Sequence, residues 1–401
     1  MVSEAITKRN PVIEVFVAFL KLGFTSFGGP VAHISYFRTE LVEKRQWLSE
    51  SQFSQLFAIA QFLPGPASSQ LGFALGLLRA GWLGAICAFL AFTLPSAILL
   101  VGFAGLLPLF SGHLGEAAIH GLKIVALVVV ADAVLGMAKK LCPDQIRGMI
   151  AAVAAAVLIA AEMAMAQLGV VIAGAIAGMV LCRIQTPAAD SVIQVKYGAR
   201  AGGLLLGAFV LLLMGLPLLA TAGGMLPTIA NLFYQAGALV FGGGHVVLPL
   251  LENSLVATTG LITQAQFLAG YGASQAIPGP LFAFAGYLGA IIPSEGGWLT
   301  GATIALIFIF LPGFLLMAGL LPMWHLVSRN QTSANAIAGV NAAVVGLLAA
   351  ALYDPIFTSA ITDKADLAIA VTAFALLSIW RLPVLAAVVW CVLASVGTVL
   401  V

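Results

Sequence analysis

Two glycine- and proline-rich signatures mark where the backbone of this chain could itself do chemistry. Phe27-Gly28-Gly29-Pro30 and Pro64-Gly65-Pro66 interrupt apolar runs, and both recur 214 positions later, as Phe241-Gly242-Gly243-Gly244 and Pro278-Gly279-Pro280. Proline removes a backbone donor and clashes with the preceding turn, while glycine accepts positive φ at little cost. A helix that restarts after such a break offers free N–H groups and a partial positive charge, which suits an anion. If the four restarted helices converge at mid-membrane, they form a cage of backbone donors without a large fixed charge. A tetrahedral oxyanion matches that description.

Side chains beside the breaks extend the candidate site. Lys21 lies two turns before Gly28 in an otherwise apolar run; it reads either as a functional charge in the membrane or as an ammonium that snorkels to the interface. His33 and His245 follow the breaks and could donate to an anion or carry a proton. Gln61 and Gln275 hold matching positions three residues before Pro64 and Pro278, where an amide could meet substrate oxygens or brace the backbone. Arg38 and Arg79 fall at expected cytoplasmic hairpin ends, as lipid anchors or as anion gatherers at the inner mouth. Asp132, with Lys123 nine residues earlier on the same helix, is the best placed acid for a charge relay or a structural ion pair.

The elements that must position these groups are apolar helices. The 214-residue offset also pairs Leu41 with Leu255, Val42 with Val256, Gln52 with Gln266, Phe53 with Phe267 and Gln61 with Gln275, so the chain is a duplication. Uninterrupted apolar stretches near 82–107, 117–138, 148–165, 167–182 and 201–220, then 298–324, 335–353, 366–380 and 383–401, read as spans. Segments 12–35, 53–79, 228–251 and 266–292 are apolar but broken near the middle. Such breaks are tolerated in a bilayer only where the backbone is buried in protein or lines a cavity, and a duplicated pair of them points to a transporter's binding site. Each reads as a re-entrant hairpin, with a kinked span as the competing form.

Composition fixes the class. The 401 residues are 62% hydrophobic and 8% charged, against about 25% charged in soluble domains. The chain is expected to be an all-α polytopic membrane protein of two inverted-topology repeats, each holding two broken or re-entrant hairpins and about four spanning helices. The expected organisation is a first repeat at 1–184, a linker at 185–200, a connecting helix at 201–220 and a second, inverted repeat at 221–401. Cys87, Cys142, Cys182 and Cys391 are dispersed without a Cys-x-x-Cys spacing, so neither a metal site nor thiol chemistry is expected. No metalloprotease, nucleophile-elbow, P-loop or dinucleotide motif occurs, so no enzyme activity, cofactor or nucleic-acid partner is expected.

Basic residues give the orientation, because cytoplasmic loops carry the excess of Lys and Arg. With the N-terminus inside, Lys8, Arg9, Arg38, Lys44, Arg45 and Arg79 share the cytoplasmic face with Lys139, Lys140, Arg147, Arg183, Lys196 and Arg200. From 201 to Met323 there is no Lys or Arg at all, as expected if the second pair of hairpins enters from outside. The span 201–220 is the single helix that makes inversion possible.

At this point the motifs meet a known family. Gly23-Phe24-Thr25-Ser26-Phe27-Gly28-Gly29-Pro30-Val31-Ala32-His33 resembles the signature of the chromate ion transporters, as do Gln61-Phe62-Leu63-Pro64-Gly65-Pro66 and Arg79-Ala80-Gly81-Trp82-Leu83-Gly84. Phe241 to His245 and Gln275 to Pro280 look like the family's matching motifs in the second half. The resemblance implies the two-repeat, long-chain form, which exports chromate across the bacterial inner membrane and confers chromate resistance, with sulfate as the related anion. Membrane lipid is the expected surrounding partner and a homodimer a permitted assembly. Import or exchange of sulfate or another oxyanion is the alternative, and an anion channel a weaker one. The second repeat departs from the first in having Gly244 at the place of Pro30 and no counterpart of Lys21, Arg38 or Arg79, so the site is expected to be asymmetric.

Overall fold

The computed structural model describes residues 10–27, 29–110, 112–160, 164–183, 195–241, 244–324 and 331–400. Among these the protein is all-α and polytopic, with five helices long and apolar enough to cross a membrane. Local chemistry sets the first element. Asn10 accepts from the Val12 N–H at 3.0 Å and Pro11 occupies the first turn, so α1 runs Pro11–Thr25 and stops where Ser26 turns extended. Helix α2 (Gly29–Phe37) continues into a π-helical turn, Arg38–Lys44. Helix α3 (Glu50–Phe62) starts at a capping box between Ser49 and Gln52.

After the Pro64-Gly65-Pro66 break, α4 (Ala67–Leu106) leaves helical geometry at Ala80 and Gly81. There it folds back so tightly that a side chain on Gly76 or Gly84 would strike the other's carbonyl. It is therefore two arms, 67–79 and 82–106. Helices α5 (His113–Leu141), α6 (Gln145–Ala160) and α7 (Ala164–Leu181) complete the first half, and α8 (Ala199–Thr221) joins it to the second.

The second half repeats this order. Its elements are α9 (Met225–Leu239), α10 (Val247–Glu252), a π-helical turn (Asn253–Thr258), α11 (Gln264–Gln275), α12 (Phe284–Ile291), α13 (Gly297–Leu320), α14 (Gln331–Ala351), α15 (Lys364–Ser378) and α16 (Val384–Leu400). The starts of α1 and α9, and of α3 and α11, differ by 214 residues, 225 less 11 and 264 less 50. Even the capping box recurs, as Thr263 with Gln266.

The broken segments turn back on themselves. Glu14, at the start of α1, accepts from Arg79 at 2.7 Å and from the Trp47 indole at 2.8 Å. Those partners stand at the end of the first α4 arm and just before α3, so both hairpins of the first half open toward one face. In the second half the Tyr287 hydroxyl of α12 donates to the Gln266 carbonyl of α11 at 2.8 Å, laying those arms side by side. Phe19, Phe37 and Phe92 pack edge to face, at 5.5 and 5.1 Å between ring centres, and lock the first hairpin onto the second α4 arm.

The remaining helices exchange partners between halves. Helices α6 and α7 pack on α14, and α15 and α16 pack on α5. Small residues permit the approach: Gly174 and Gly178 of α7 meet Gly339 of α14, and Gly121 of α5 meets the Cys391 backbone of α16. Helices α6 and α15 have 16 and 15 residues, too short at about 1.5 Å per residue to cross a core of about 30 Å unaided.

Candidate functional site at the crossing of the breaks

The breaks of the two halves hold each other. The Gly65 N–H donates to the Val240 carbonyl at 2.7 Å, and the Gly279 N–H donates to the Ser26 carbonyl at 2.9 Å. Adding 214 to Gly65 and Ser26 gives Gly279 and Val240, so the two bonds are one interaction made twice. Gly65 and Gly279 both have strongly positive φ, 120° and 113°. These two donors are consumed by the crossing and are not available to a solute.

Free donors lie one step further on. The first backbone bond of α4 runs from Gln70 N–H to the Pro66 carbonyl, and Pro66 supplies no side-chain cap. The N–H groups of Ala67, Ser68 and Ser69 therefore head the helix without intrahelical acceptors. Around this turn lies a group of buried polar side chains. His33, 1% exposed, brings Nδ1 to 3.5 Å from the Ser68 hydroxyl and stands edge-on to Phe92. Among the described residues, Ser26 Oγ, His33 Nε2, Ser69 Oγ, Gln70 Oε1 and Thr93 Oγ1 are all buried without a hydrogen-bond partner. An unpaired polar atom shut away from water costs about 1–3 kcal/mol, a cost that a bound polar group would relieve.

Gln70 holds the frame. Its amide Nε2 donates to the Pro64 carbonyl at 2.8 Å and to the Gly313 carbonyl at 3.1 Å, tying the first break to α13. With both protons spent on acceptors, the amide is fixed in that sense and its oxygen faces away.

The second half does not copy this chemistry. A shift of 214 takes Ser26, His33, Ser68, Ser69, Gln70, Thr93 and Ser96 to Val240, Val247, Phe282, Ala283, Phe284, Ile307 and Phe310. Phe282 and Phe310 pack with ring centres 5.8 Å apart and fill the equivalent space. The asymmetry expected from Lys21, Arg38 and Arg79 is thus also present at the breaks.

The residues singled out from sequence fall into several places. Gly28, Gly242 and Gly243 lie outside the described residues. Gly29, Pro30 and Gly244 begin the restarted helical turns, while Phe27 is exposed. Pro64, Gly65, Pro66, Pro278, Gly279 and Pro280 form the two crossing breaks; Gln61 and Gln275 are part-buried, with Gln275 reaching Ser274 at 3.2 Å. His245 sits apart from His33, with Nδ1 2.6 Å from the buried Tyr271 hydroxyl. Lys123 and Asp132 are not brought together: nine residues is two and a half turns, which puts them on opposite faces of α5. Asp132 instead accepts from Ser378 of α15 at 2.5 Å.

Nor is Lys21 a free cation. It donates to Glu40 at 2.7 Å, and Glu40 also takes Arg45 at 2.9 Å. Arg38 pairs with Glu43 and Glu50 on the surface, and Arg79 with Glu14. Burial alone would raise the Glu40 carboxyl, but the bonds from Lys21 and Arg45 outweigh it and hold it below the usual carboxylate value. The stabilisation is therefore complete above about pH 4.3, the ordinary glutamate value, and is lost as pH falls through the depressed one. Glu40→Gln is expected to lower thermal stability at neutral pH by about 1.5–3 kcal/mol, the worth of hydrogen bonds to a charged group, and to flatten the acid limb of stability against pH. Thermal unfolding in detergent across the acid range measures both.

Sequence reasoning missed Ser26, Ser68, Ser69, Gln70 and Thr93. The signal was there: Ser68-Ser69-Gln70 is a polar triplet directly after a break, inside apolar sequence.

Comparison with known proteins agrees with the duplication. A sequence model described as chromate transporter matches twice, over residues 13–179 and 227–397, and the two starts again differ by 214. The "Probable chromate transport protein" of Synechococcus elongatus is 30% identical over 83% of this chain and 82% of its own. The "Chromate transport protein" of Pseudomonas aeruginosa is 29% identical over 88% and 83%, and that of Cupriavidus metallidurans 27% over 84% and 81%. No solved structure matches.

Proposed function

The chain belongs to the chromate transporter family, and on that premise we propose that it is a secondary carrier exporting chromate from the cytoplasm across the bacterial inner membrane, thereby conferring chromate resistance. The observation that carries this reading is the uncapped head of α4 at the crossing of the breaks, with His33 3.5 Å from the Ser68 hydroxyl and with buried side-chain atoms of Ser26, His33, Ser69 and Thr93 left without partners. A helix N-terminus with hydroxyls beside it binds an oxyanion through directed donors. The reciprocal bonds between Gly65 and Val240 and between Gly279 and Ser26 suit two inverted repeats, with the N-terminus cytoplasmic and α8 carrying the chain outside. Motion of one repeat against the other would open the crossing to each side in turn.

Direction follows from charge. A potential of 100 mV, inside negative, favours exit of an anion by about 2.3 kcal/mol per charge, or about 4.6 for a dianion. Uptake of labelled chromate into inside-out vesicles is therefore expected to accelerate when the lumen is made positive and to slow when it is made negative. Transport indifferent to voltage removes potential-driven efflux. Counter-flow driven by trapped sulfate supports the exchange alternative instead.

A further inference from the structure

Between α6 and α7 the surface holds a groove that neither helix closes. Both helices pack on α14 and meet each other over fewer residues. The gap between them is a cavity of about 730 Å³, with Ala343 of α14 joining its lining. Gly169 and Ala173 of α7 leave the room, and Met149 and Val153 of α6 flank it. The lining runs from Gln145 and Leu181 at one end to Val157 and Ala166 at the other.

Length and polarity say what fits. Residues 145 to 157 rise about 18 Å at about 1.5 Å each, close to half of a hydrocarbon core of about 30 Å. The groove is therefore about as deep as one leaflet. Among the described residues its lining is apolar except for Gln145, which stands at its end. An amphiphile with a polar head at that end and an apolar tail along the groove matches both features.

Charge completes the match. Lys139 and Lys140 in the last turn of α5, Arg147 in the first turns of α6 and Arg183 just past α7 stand at the Gln145 end against one acid, Asp144, so three net positive charges remain (four less one). Asp144 is occupied by Arg147 at 2.6 Å, and Lys140 lies over the Phe57 ring at 5.8 Å. Arg183 is exposed and, among the described residues, has no ion-pair partner. In the orientation proposed above this end faces the cytoplasm. Cytoplasmic cations alone need no groove beside them, whereas a basic pocket between helices collects anionic headgroups.

We propose that the groove binds an anionic phospholipid, with one acyl chain lying between α6 and α7 and the phosphate held by Arg147 and Arg183. Both walls of the groove stand on α14, so the bound lipid braces the contact by which the first half grips the second. The site is separate from the crossing of the breaks and does not depend on which solute the chain carries.

The test uses the full chain, stripped of lipid in detergent and titrated with phosphatidylglycerol or with phosphatidylcholine. Native mass spectrometry counts the retained lipid, and thermal unfolding follows stability. Phosphatidylglycerol is expected to bind at least about tenfold more tightly, since each cation near an anionic headgroup is worth about fivefold, and to raise the melting temperature because it binds the folded form. Arg183→Gln is expected to weaken phosphatidylglycerol about fivefold, and Arg147→Gln added to it about 25-fold, with phosphatidylcholine unchanged. Arg183→Gln removes an exposed, unpaired side chain, so it tests the charge even where loss of Arg147 unsettles α6. Gly169→Leu fills the groove from within: no atom lies within 4 Å of a carbon added there, so the fold is expected to persist while bound lipid is lost. Equal affinity for the two lipids, or phosphatidylglycerol binding unchanged in Arg183→Gln or in Gly169→Leu, overturns the proposal. A parent that is dimeric in detergent and that Gly169→Leu turns monomeric gives the groove to a second copy of the chain and overturns it as well.

Discussion

Replacing Ser69 by Ala and Thr93 by Val together is expected to raise the melting temperature of the protein and to cut chromate uptake at least about a hundredfold. Both hydroxyls are buried without partners, so each substitution removes an unsatisfied group and leaves the fold easier to keep. A hydrogen bond to a charged oxygen is worth about 1.5–3 kcal/mol, and each 1.4 kcal/mol is a factor of ten, so losing two of them reaches that size. Opposed changes in stability and activity are the mark of polar atoms retained for a ligand. Thermal unfolding in detergent and vesicle uptake measure the pair. A double variant that melts lower than the parent makes the hydroxyls structural, and one that melts higher with uptake intact moves the site elsewhere.

Gly65→Ala and Gly279→Ala are each expected to abolish transport, and together to prevent recovery of folded protein. At φ of 120° and 113° a side chain is strained wherever it points, at a cost of about 1–3 kcal/mol. Space is absent as well. An added carbon at Gly65 would press on the Gly313 backbone and the Gln70 amide, and at Gly279 on the Ser96 hydroxyl; overpacking of this kind costs about 1–3 kcal/mol more. Because each glycine donates across the crossing, the strain falls on the contact between halves rather than on one helix. Monodisperse yield and uptake of each variant decide it. Wild-type uptake by Gly65→Ala would show that the crossing tolerates rearrangement.

Much of this architecture was legible in the sequence because it depends on local chemistry repeated at one spacing. Helix-breaking glycines and prolines, the capping boxes at Ser49 and Thr263 and the apolar runs all act on their near neighbours, so periodicity exposes them. The candidate site was half legible. The breaks were visible, but the buried polar groups come from the end of α1, from α2 and from α4, and no spacing rule brings His33 to Ser68. The roles of the charged residues were obscured for the same reason. Lys21 and Arg79 read as lone cations until Glu40 and Glu14 appeared opposite them, since a partner 19 or 65 positions away leaves no periodic trace. Asp132 and Lys123 show the converse error, where closeness in sequence suggested a contact that helical phase forbids.

The exchange of helices between halves also sets an order of events during synthesis. Helix α7 is complete at Leu181, but α14, on which it packs, begins at Gln331, 150 residues later (331 less 181). At about 5–20 residues per second the ribosome needs roughly 8 to 30 s to deliver it. For that interval Gly174 and Gly178 have only lipid to face, and a longer one, 223 and 243 residues (364 less 141 and 384 less 141), separates α5 from α15 and α16. The nascent first half is thus a waiting intermediate, and its glycine seam is the surface by which a membrane chaperone or protease would tell an unfinished chain from a finished one.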